Sequence, residues 1–393
     1  MKGTKNERIE SFLSDKYDFR FNIIKSKPEY KLKSEKQFRS ITKFDLNTLK
    51  RELDKKEFYT STDNIRSILE SDFSTKTNPV QEYFRCLLRY DPKKKNYIIQ
   101  LADTVEVHNS EKWTEYLTKW LVAIVANALN DIGCQNHTCL VLTGEQGKFK
   151  TTWLDLLCPK ILSSYLYTGK IDPQNKDVLT LIAEYLLINI DDQLKALNKK
   201  DENELKNFIT MPFVKYRRPY DVYIEEYPHL ASFMASVNGN DFLTDPTGSR
   251  RFLPFEVISI DIKAAKAINI DNVYSEALWL YENGFRYWFN DAEIDELHRM
   301  SKAFHVQTIE YEMLIQAFEK PSEKESENCF MTTGEIINYL KRWTTLQYSE
   351  KRMGEALKKA GFPRMQKRSK EKSYAVYGYL LRKVDPNPFI ETL

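Results

Sequence analysis

Gly144-Glu145-Gln146-Gly147-Lys148-Phe149-Lys150-Thr151 is the stretch that decides the fold of this chain. Its glycines let backbone N–H groups turn toward phosphate oxygens, its second lysine can reach the outer phosphates of a nucleotide, and its threonine supplies a hydroxyl for Mg²⁺. The apolar run 139–143 before it fits a buried parallel strand, and a helix is predicted from Thr151 to Leu157. The positive end of that helix would strengthen an anion site. The stretch therefore predicts a phosphate-binding P-loop.

Phe149 departs from this pattern, because the residue before the lysine is ordinarily a glycine. We expect Gly147, two residues earlier, to supply the backbone freedom. The residues predicted to bind ATP are Gly144, Glu145, Gln146, Gly147, Lys148, Phe149, Lys150, Thr151 and Thr152. A basic surface turn is the alternative interpretation, so the neighbouring strand ends must supply the support.

Two further apolar runs end in polar residues that suit ATP hydrolysis. A second strand is predicted at 183–190 and ends in Asp191 and Asp192. We assign Asp191, together with Thr151, to Mg²⁺ and Asp192 to the attacking water. A third strand at 232–237 ends in Asn238, a candidate sensor of the outer phosphate. An acidic turn and an Asn-Gly turn are the alternatives.

Arg250 and Arg251 follow the third strand in the run Phe242-Leu-Thr-Asp-Pro-Thr-Gly-Ser-Arg-Arg-Phe252. An arginine at this point can reach across a subunit interface and stabilise charge on the transferring phosphoryl group. A solvated pair of arginines is the alternative. Lys150, Asp191, Asp192 and Asn238 complete the predicted catalytic set.

The flanking regions predict additional domains. Residues 17–32 have the pattern of a β-hairpin, 45–71 and 113–130 have helical periodicity, and Asn78-Pro79 is a turn signal. The polar segment 319–328 predicts a linker. The predicted domains are an N-terminal α+β region at 1–75, a helical region at 76–135, a P-loop ATPase domain at 136–318, the linker, and a winged-helix-like domain at 329–393.

The last of these domains is predicted from its caps and its charge. Thr332 and Glu335 have capping-box spacing, Ser349 begins a second helix, and Gly361 suits its end. A basic loop and a strand at 374–381 follow, in the order of a winged helix-turn-helix. Residues 351–372 contain nine Lys or Arg and two Glu, which suits phosphate contact or a solvated surface. The predicted contacts are Lys367, Arg368, Lys370 and Lys372.

Composition excludes some classes of protein. The net charge is only +3, and five sparse cysteines do not suggest a disulfide framework. No apolar run approaches the roughly 20 residues that span a bilayer, so we expect no membrane partner and a cytoplasmic location. Cys134, His137 and Cys139 lie close together, but their spacing is not that of a zinc site.

Together these motifs resemble the virulence-associated protein E family of phage and mobile-element ATPases, which is similar to the superfamily III helicases of the AAA+ class. The resemblance runs through 144–151, Ile190-Asp-Asp192, Tyr216-Arg-Arg-Pro-Tyr220, Ser236-Val-Asn238 and 242–252. It implies a hexameric or ring-forming ATPase in replication of a mobile element. Phe149 departs from the family, as does Asp192, where many AAA+ proteins have glutamate.

The resemblance also places Lys215, Arg217 and Arg218 on a hairpin that points into the central channel in helicases of this class. Basic residues among tyrosines suit phosphate contact and base stacking, and a structural turn around Pro219 is the alternative.

The expected fold is therefore α/β, with an AAA+-like P-loop sheet between the two flanking domains. The expected function is an ATP- and Mg²⁺-dependent DNA helicase or translocase that acts on single-stranded or forked DNA as a homo-oligomer. The alternatives are a nucleic-acid-binding ATPase switch without unwinding and a small-molecule P-loop kinase.

Overall fold

The computed structural model describes residues 4–93, 95–108, 110–218, 222–244, 249–305, 308–321, 330–368 and 375–384. The chain divides into two compact units, residues 1–305 and 306–393. Both units mix helices with strands, and the strands pair in parallel and antiparallel. In the part of the chain that the structure describes, no helix has the length and apolar character to cross a membrane.

The first unit begins with a small α+β layer, and its predicted hairpin is confirmed. Tyr17 lies opposite Leu32 in an antiparallel pair, and the sheet has the order β3-β2-β1-β4. The predicted helix at 45–71 is two helices, because Glu57 adopts a left-handed φ of 61° and Ser61 caps a new helix. The elements are α1 Lys5–Lys16, β1 Tyr17–Asn22, β2 Lys27–Leu32, β3 Arg39–Ser40, α2 Lys43–Asp54, α3 Thr62–Leu69 and β4 Thr75–Thr77.

A helical segment leads from this layer to the central sheet. Asn78 caps its first helix by accepting hydrogen bonds from the N–H groups of Val80 and Gln81, and Pro79 occupies the first turn, as the sequence predicts. The elements are α4 Pro79–Arg85, α5 Tyr97–Ala102, β5 Val105–Val107 and α6 Ser110–Leu129. Thirteen of the twenty residues of α6 are buried, and several of them share a core with Leu140 and Leu142 of β6.

The central sheet has six strands in the order β5-β12-β6-β11-β8-β7. All pair in parallel except β5, which is antiparallel to β12. The strands that follow β5 are β6 Cys139–Thr143, β7 Leu166–Gly169, β8 Leu187–Asp191, β11 Ser232–Ser236 and β12 Phe252–Ile260. The predicted start of the second strand at Ala183 is wrong, because Ala183 and Glu184 end a helix whose buried face merges with the strand into one apolar run.

Side chains alternate across this sheet, as the two-residue period of a strand requires. Leu140 and Leu142 face a core that contains Trp120 and Trp153. Cys139 and Val141 face a second core on the opposite side. The remaining elements of the unit are α7 Lys150–Leu156, α8 Asp177–Glu184, α9 Lys199–Thr210, β9 Phe213–Tyr216, β10 Glu225–Pro228, α10 Ile262–Ala267, α11 Ile270–Glu282 and α12 Asp291–Ser301.

The second unit has its own core and a three-stranded sheet in the order β14-β16-β15. The capping box of Thr332 and Glu335 is confirmed, and Gly361 ends a helix at φ 70°. Part of the predicted basic loop is instead a strand, since Arg364–Arg368 pairs with the next strand. The elements are α13 Ile309–Ala317, β13 Phe318–Glu319, β14 Phe330–Met331, α14 Thr333–Leu340, α15 Glu350–Lys359, β15 Arg364–Arg368, β16 Ala375–Leu380 and β17 Arg382–Lys383.

Several predictions fall partly outside the described residues. They are most of the linker 319–328, the hairpin residues Pro219 and Tyr220, the segment 245–248, and the basic residues Lys370 and Lys372.

Candidate active site

The glycine loop, residues 144–149, joins β6 to α7 at the edge where the parallel strands end. Gly144 exchanges two hydrogen bonds with Gly239 in the loop after β11, one of them from the Gly239 N–H at 3.0 Å. A Cβ at Gly144 would lie 3.0 Å from the carbonyl oxygen of Val257 in β12. Gly144 also has a φ of 121°, a value that L side chains rarely adopt. Glycine at 144 therefore lets the loop pack against two neighbouring strands.

Phe149 adopts the left-handed conformation itself, with φ 60° and ψ 20°. The expectation that Gly147 alone would supply the freedom is therefore incomplete, although Gly147 also has a positive φ of 84°. The left-handed region costs a residue with a Cβ about 1–2 kcal/mol. The ring is 54% exposed, so it returns little burial energy for this strain.

Lys150 is the first residue of α7, and its side chain is buried under the glycine loop. Its ammonium donates to the carbonyl oxygens of Gly144 at 3.0 Å and Glu145 at 2.6 Å, and to Oδ1 of Asn238 at 3.3 Å. Burial lowers the pKa of Lys150, and the charges of Asp192 and Glu145 oppose this shift. Lys148 in the same loop differs, because its ammonium is 3.5 Å from the exposed Glu145 carboxylate. Gln146 and Thr152 are exposed.

Thr151, Asp191 and Ser236 form a compact triangle next to Lys150. The hydroxyls of Thr151 and Ser236 donate to Oδ1 of Asp191 at 2.7 and 2.8 Å, and the two hydroxyl oxygens are 3.0 Å apart. Among the described residues there is no group of three or more His, Cys, Asp or Glu that could hold a metal. Mg²⁺ does not require such a group, since it is commonly held by one or two carboxylates with phosphates and water. The hydroxyl oxygen of Thr151 and the carboxylate oxygens of Asp191 are ligands that fit this requirement.

Asp192 and Asn238 connect the second and third strand ends. Asp192 has a φ of 45°, which an aspartate tolerates better than most residues. Its carboxylate accepts from the backbone N–H of Asn238 at 3.1 Å and from Nδ2 of Asn238 at 2.8 Å. The amide of Asn238 thus joins Asp192 on one side to Lys150 on the other.

Two polar residues behind this network were missed by the sequence reasoning. Ser236 donates a hydrogen bond to Asp191, as described above. The sequence feature that could have identified it is a hydroxyl two residues before Asn238. Asn189 is buried in β8, where its amide donates to Oδ1 of Asp155 in α7 at 2.8 Å. Its signal was a polar residue inside the apolar run Leu186-Leu-Ile-Asn-Ile190. This bond fastens the helix that carries Lys150 and Thr151 to the strand that carries Asp191.

Arg250 and Arg251 are not brought to this network. They precede β12, and Phe252 lies opposite Cys139 at the start of β6, so both arginines lie at the edge where the parallel strands begin. The five residues of β6 span about 16 Å at roughly 3.3 Å per residue. Arg250 is exposed, whereas Arg251 is half-buried. Burial lowers the pKa of Arg251, and the charge of Arg250 lowers it further.

The two arginines line a cavity of about 210 Å³ at that edge. Asn136, His137 and Trp288 are among its other walls. Within the described part of the chain, Nε of Arg251 is buried and has no hydrogen-bond partner. Arg250, the exposed member of the pair, is the one that solvent can reach.

β9 and β10 form an antiparallel hairpin between α9 and β11, and it carries three of the predicted nucleic-acid residues. Lys215 is exposed and pairs with Glu226 at 2.9 Å, and Arg217 is exposed beside it. The prediction for Arg218 is wrong, because its guanidinium is buried and donates to the carbonyl oxygen of Ile24 at 2.7 Å. Arg218 also lies 4.5 Å from the ring centre of Tyr227. It anchors the hairpin instead of facing solvent.

The basic residues predicted in the second unit are described only in part. Lys367 is exposed on β15, and its ammonium lies 5.9 Å from the ring centre of Phe330. The backbone of Arg368 ends the same strand.

A family model described as the virulence-associated protein E-like domain matches residues 87–306, which is more than half of the chain, and the chain belongs to this family. The resemblance inferred from the motifs is thereby confirmed. The match includes the glycine loop, Asp191, Asp192, Asn238 and both arginines.

Among solved structures, the chain is similar to two apo structures of the NrS-1 C-terminal region. One has 10% sequence identity and a TM-score of 0.49, with 97% of this chain and 100% of that chain covered. The other, the A form, has 11% identity and a TM-score of 0.47, with 95% and 98% covered. No curated protein matches the sequence.

Proposed function

We propose that this protein is an ATP- and Mg²⁺-dependent motor of the superfamily III helicase type that acts on DNA. The observation that carries the proposal is the hydrogen-bonded network in which Lys150, Asn238 and Asp192 meet beside Thr151 and Asp191. Three strand ends and one helix N-terminus supply its members. These are the residue types that nucleotide hydrolysis requires, at one edge of a parallel sheet.

Each member has a chemical task in this proposal. The ammonium of Lys150 exchanges its bonds to loop carbonyls for the outer phosphates, and the N–H groups at the start of α7 face the same anion. Thr151 and Asp191 would hold Mg²⁺, which neutralises charge on the phosphate oxygens. Asp192 accepts a hydrogen bond from the attacking water and takes its proton, while the amide of Asn238 donates to the water oxygen, which bonds to the terminal phosphorus as the bond to the leaving ADP breaks.

Arg250 acts on a neighbouring chain in this scheme. Arg250 and Lys150 lie at opposite ends of the parallel strands, and β6 between these ends is about 16 Å long, so we assign the two residues to one site formed by two chains. Arg250 is exposed and Arg251 is half-buried. We therefore assign the contact with the phosphoryl group to Arg250 and the positioning of that loop to Arg251.

The DNA contacts are assigned to the hairpin and to the second unit. The described tip of the hairpin carries Val222, Tyr223 and Ile224, and Tyr223 is 72% exposed. Lys215 and Arg217 lie on the same hairpin. An exposed tyrosine beside these cations suits single-stranded DNA, whose bases can stack on the ring while its phosphates pair with the basic side chains. Helices α14 and α15 and the β15–β16 pair of the second unit, with Lys367 and Arg368, are assigned to a winged-helix-like DNA contact. The family membership supports a role in replication of a phage or mobile element.

The direct test compares ATP turnover of Lys150→Ala and Lys148→Ala. Lys150 donates to the loop and to Asn238, whereas Lys148 is a neighbouring lysine whose described ion pair is with an exposed glutamate. We expect Lys150→Ala to lose at least about a hundredfold in turnover, as losing one preorganised charge contact does. Lys148→Ala removes a lysine of the same loop that lacks the bonds of Lys150 to Gly144, Glu145 and Asn238, so it should lose much less turnover than Lys150→Ala. Equal turnover of the two variants would refute the site.

A nucleic-acid-binding ATPase switch without unwinding is the second candidate, and the strained Phe149 favours it. Strand displacement on a forked DNA separates the two functions. ATP-dependent displacement that disappears in Lys150→Ala supports the motor, whereas DNA-stimulated hydrolysis without displacement supports the switch.

A further inference from the structure

Positive charge is concentrated in residues 25–43, far along the sequence from the candidate active site. This segment contains seven Lys or Arg and two Glu, whereas the whole chain has 59 Lys or Arg and 56 Asp or Glu. The segment therefore accounts for more than the entire basic excess of the chain. Such a local excess is informative even when the net charge is small.

The fold aligns this charge along one edge of the N-terminal sheet. β3 is the edge strand and pairs with β2, with Arg39 opposite Tyr30 and the N–H of Ile41 donating to Pro28 at 3.1 Å. Because the pair is antiparallel, residues after β3 return toward the start of β2. The six residues of β2 span about 20 Å. The basic edge consists of five exposed residues: Lys27, Lys33, Lys36, Arg39 and Lys43.

Most of this charge is not balanced within the protein. Arg39 lies 3.7 Å from Glu35, but Lys33, Lys36 and Lys43 have no ion pair with a described residue. Lys43 occupies the first turn of α2, where the helix dipole disfavours a cation. Phe44 beside it is 78% exposed. Unpaired cations next to an exposed aromatic ring are the chemistry that binds a single-stranded nucleic acid.

The basic edge begins next to the β9–β10 hairpin. The carbonyl of Ile24, three residues before Lys27, accepts the hydrogen bond from Arg218 at the base of that hairpin. Glu184 lies 3.6 Å from Arg218 and is also within electrostatic reach of Lys27. The anchor that removes Arg218 from solvent thus brings the Lys27 end of the basic edge close to the base of the hairpin, which carries the exposed Lys215 and Arg217.

We propose that the basic edge is a second binding surface for single-stranded nucleic acid, continuous with the hairpin. Phosphates follow the basic residues of β3 and of the segments on either side of it, and Phe44 stacks on a base. This surface goes beyond the proposed ATPase and requires no nucleotide, so it can be tested without ATP.

The test measures binding of fluorescent oligo-dT of 10 and 30 nucleotides by the full chain over a range of salt concentrations. The variant is Lys33→Gln/Lys36→Gln/Lys43→Gln. The charge-matched control is Lys55→Gln/Lys56→Gln/Lys76→Gln, whose exposed lysines belong to the same N-terminal layer, with Lys76 in β4 at the other edge of the sheet. Lysine-to-glutamine changes at exposed positions leave the core intact.

The plot of log affinity against log salt has a negative slope. For the 30-mer we expect the variant slope to be shallower than that of the wild type by about 2, since each of three lost phosphate contacts removes roughly 0.7. The control should match the wild type, and Phe44→Ala should weaken binding without changing the slope. If the slope of the variant equals that of the control, the proposal is wrong. The lysines would then have the other role known for an edge strand, which is to prevent strand-to-strand association. A wild type that binds neither probe would also overturn the proposal. ATP turnover of Lys150→Ala tests the active site separately, so the two ideas can fail independently.

Discussion

Replacing Asn238 by aspartate is expected to make ATP turnover fall as the pH rises. The change keeps the size of the side chain and an oxygen facing Lys150, but it puts a second oxygen where Nδ2 donates to Oδ2 of Asp192 at 2.8 Å. Two unit charges at that distance repel by about 1.5 kcal/mol even in the dielectric of water. This repulsion raises the pKa of the carboxyl at position 238 above that of an ordinary aspartate, and the ammonium of Lys150, 3.3 Å from Oδ1, opposes the shift.

The sign of the effect follows from which form can donate. Below the raised pKa the carboxyl at position 238 is protonated and can again donate to Asp192, as the amide does. As the pH rises through that pKa, the proton is lost and the two carboxylates repel. Turnover relative to the wild type should therefore fall by about tenfold for each pH unit above the raised pKa, until it reaches the level of a missing contact.

Phosphate release measured from pH 5 to pH 8, with each variant divided by the wild type at the same pH, gives the result. Asn238→Ala is the control, because it removes the same contacts without introducing a group that titrates. Its ratio should stay flat across this range. If the ratios of Asn238→Asp and Asn238→Ala change in parallel, the contact between Asn238 and Asp192 does not govern turnover and the reasoning is refuted.

Three further outcomes are expected. Phe149→Gly should be more stable to heat than Phe149→Ala by about 0.5–1 kcal/mol, because only alanine keeps a Cβ in the left-handed region; equal melting temperatures would contradict the strain. Ser236→Ala should lower ATP turnover by about tenfold or more, the worth of a hydrogen bond to the charged Asp191, whereas Ser236→Thr should retain it. Arg250→Ala and Lys150→Ala chains, each inactive alone, should recover turnover when mixed, and failure to recover would argue against a shared site.

The strand ends could be predicted from the sequence because apolar runs stop there at polar residues. Cys139–Thr143 and Ser232–Ser236 were located within one residue for this reason. The start of β8 could not, since the buried face of α8 continues directly into the strand and gives no change of period. Since the carboxyl ends of parallel strands lie together, the meeting of Asp192 and Asn238 was expected once both strands were predicted to be parallel.

Contacts between distant segments were beyond the sequence. Arg218 and Ile24 are 194 positions apart, so nothing local distinguishes a buried anchor from the exposed Arg217. The bond between Gly144 and Gly239 is of the same kind, and it depends on which strands become neighbours. Phe149 shows a third limit, because a left-handed phenylalanine is imposed by the loop around it and not by its own preference.

The two ends of the parallel strands in the central sheet restrict how copies of this chain can assemble into the proposed motor. The network around Lys150 lies where the parallel strands end, and Arg250 lies where they begin. A complete site then combines the strand ends around Lys150 in one chain with the strand starts near Arg250 in the next chain. Such a contact uses two different surfaces and is heterologous, so it leaves each chain with one unused surface until a ring closes. Turnover that rises steeply with protein concentration, together with closed rings in the active fraction, is the assembly behaviour that this arrangement requires.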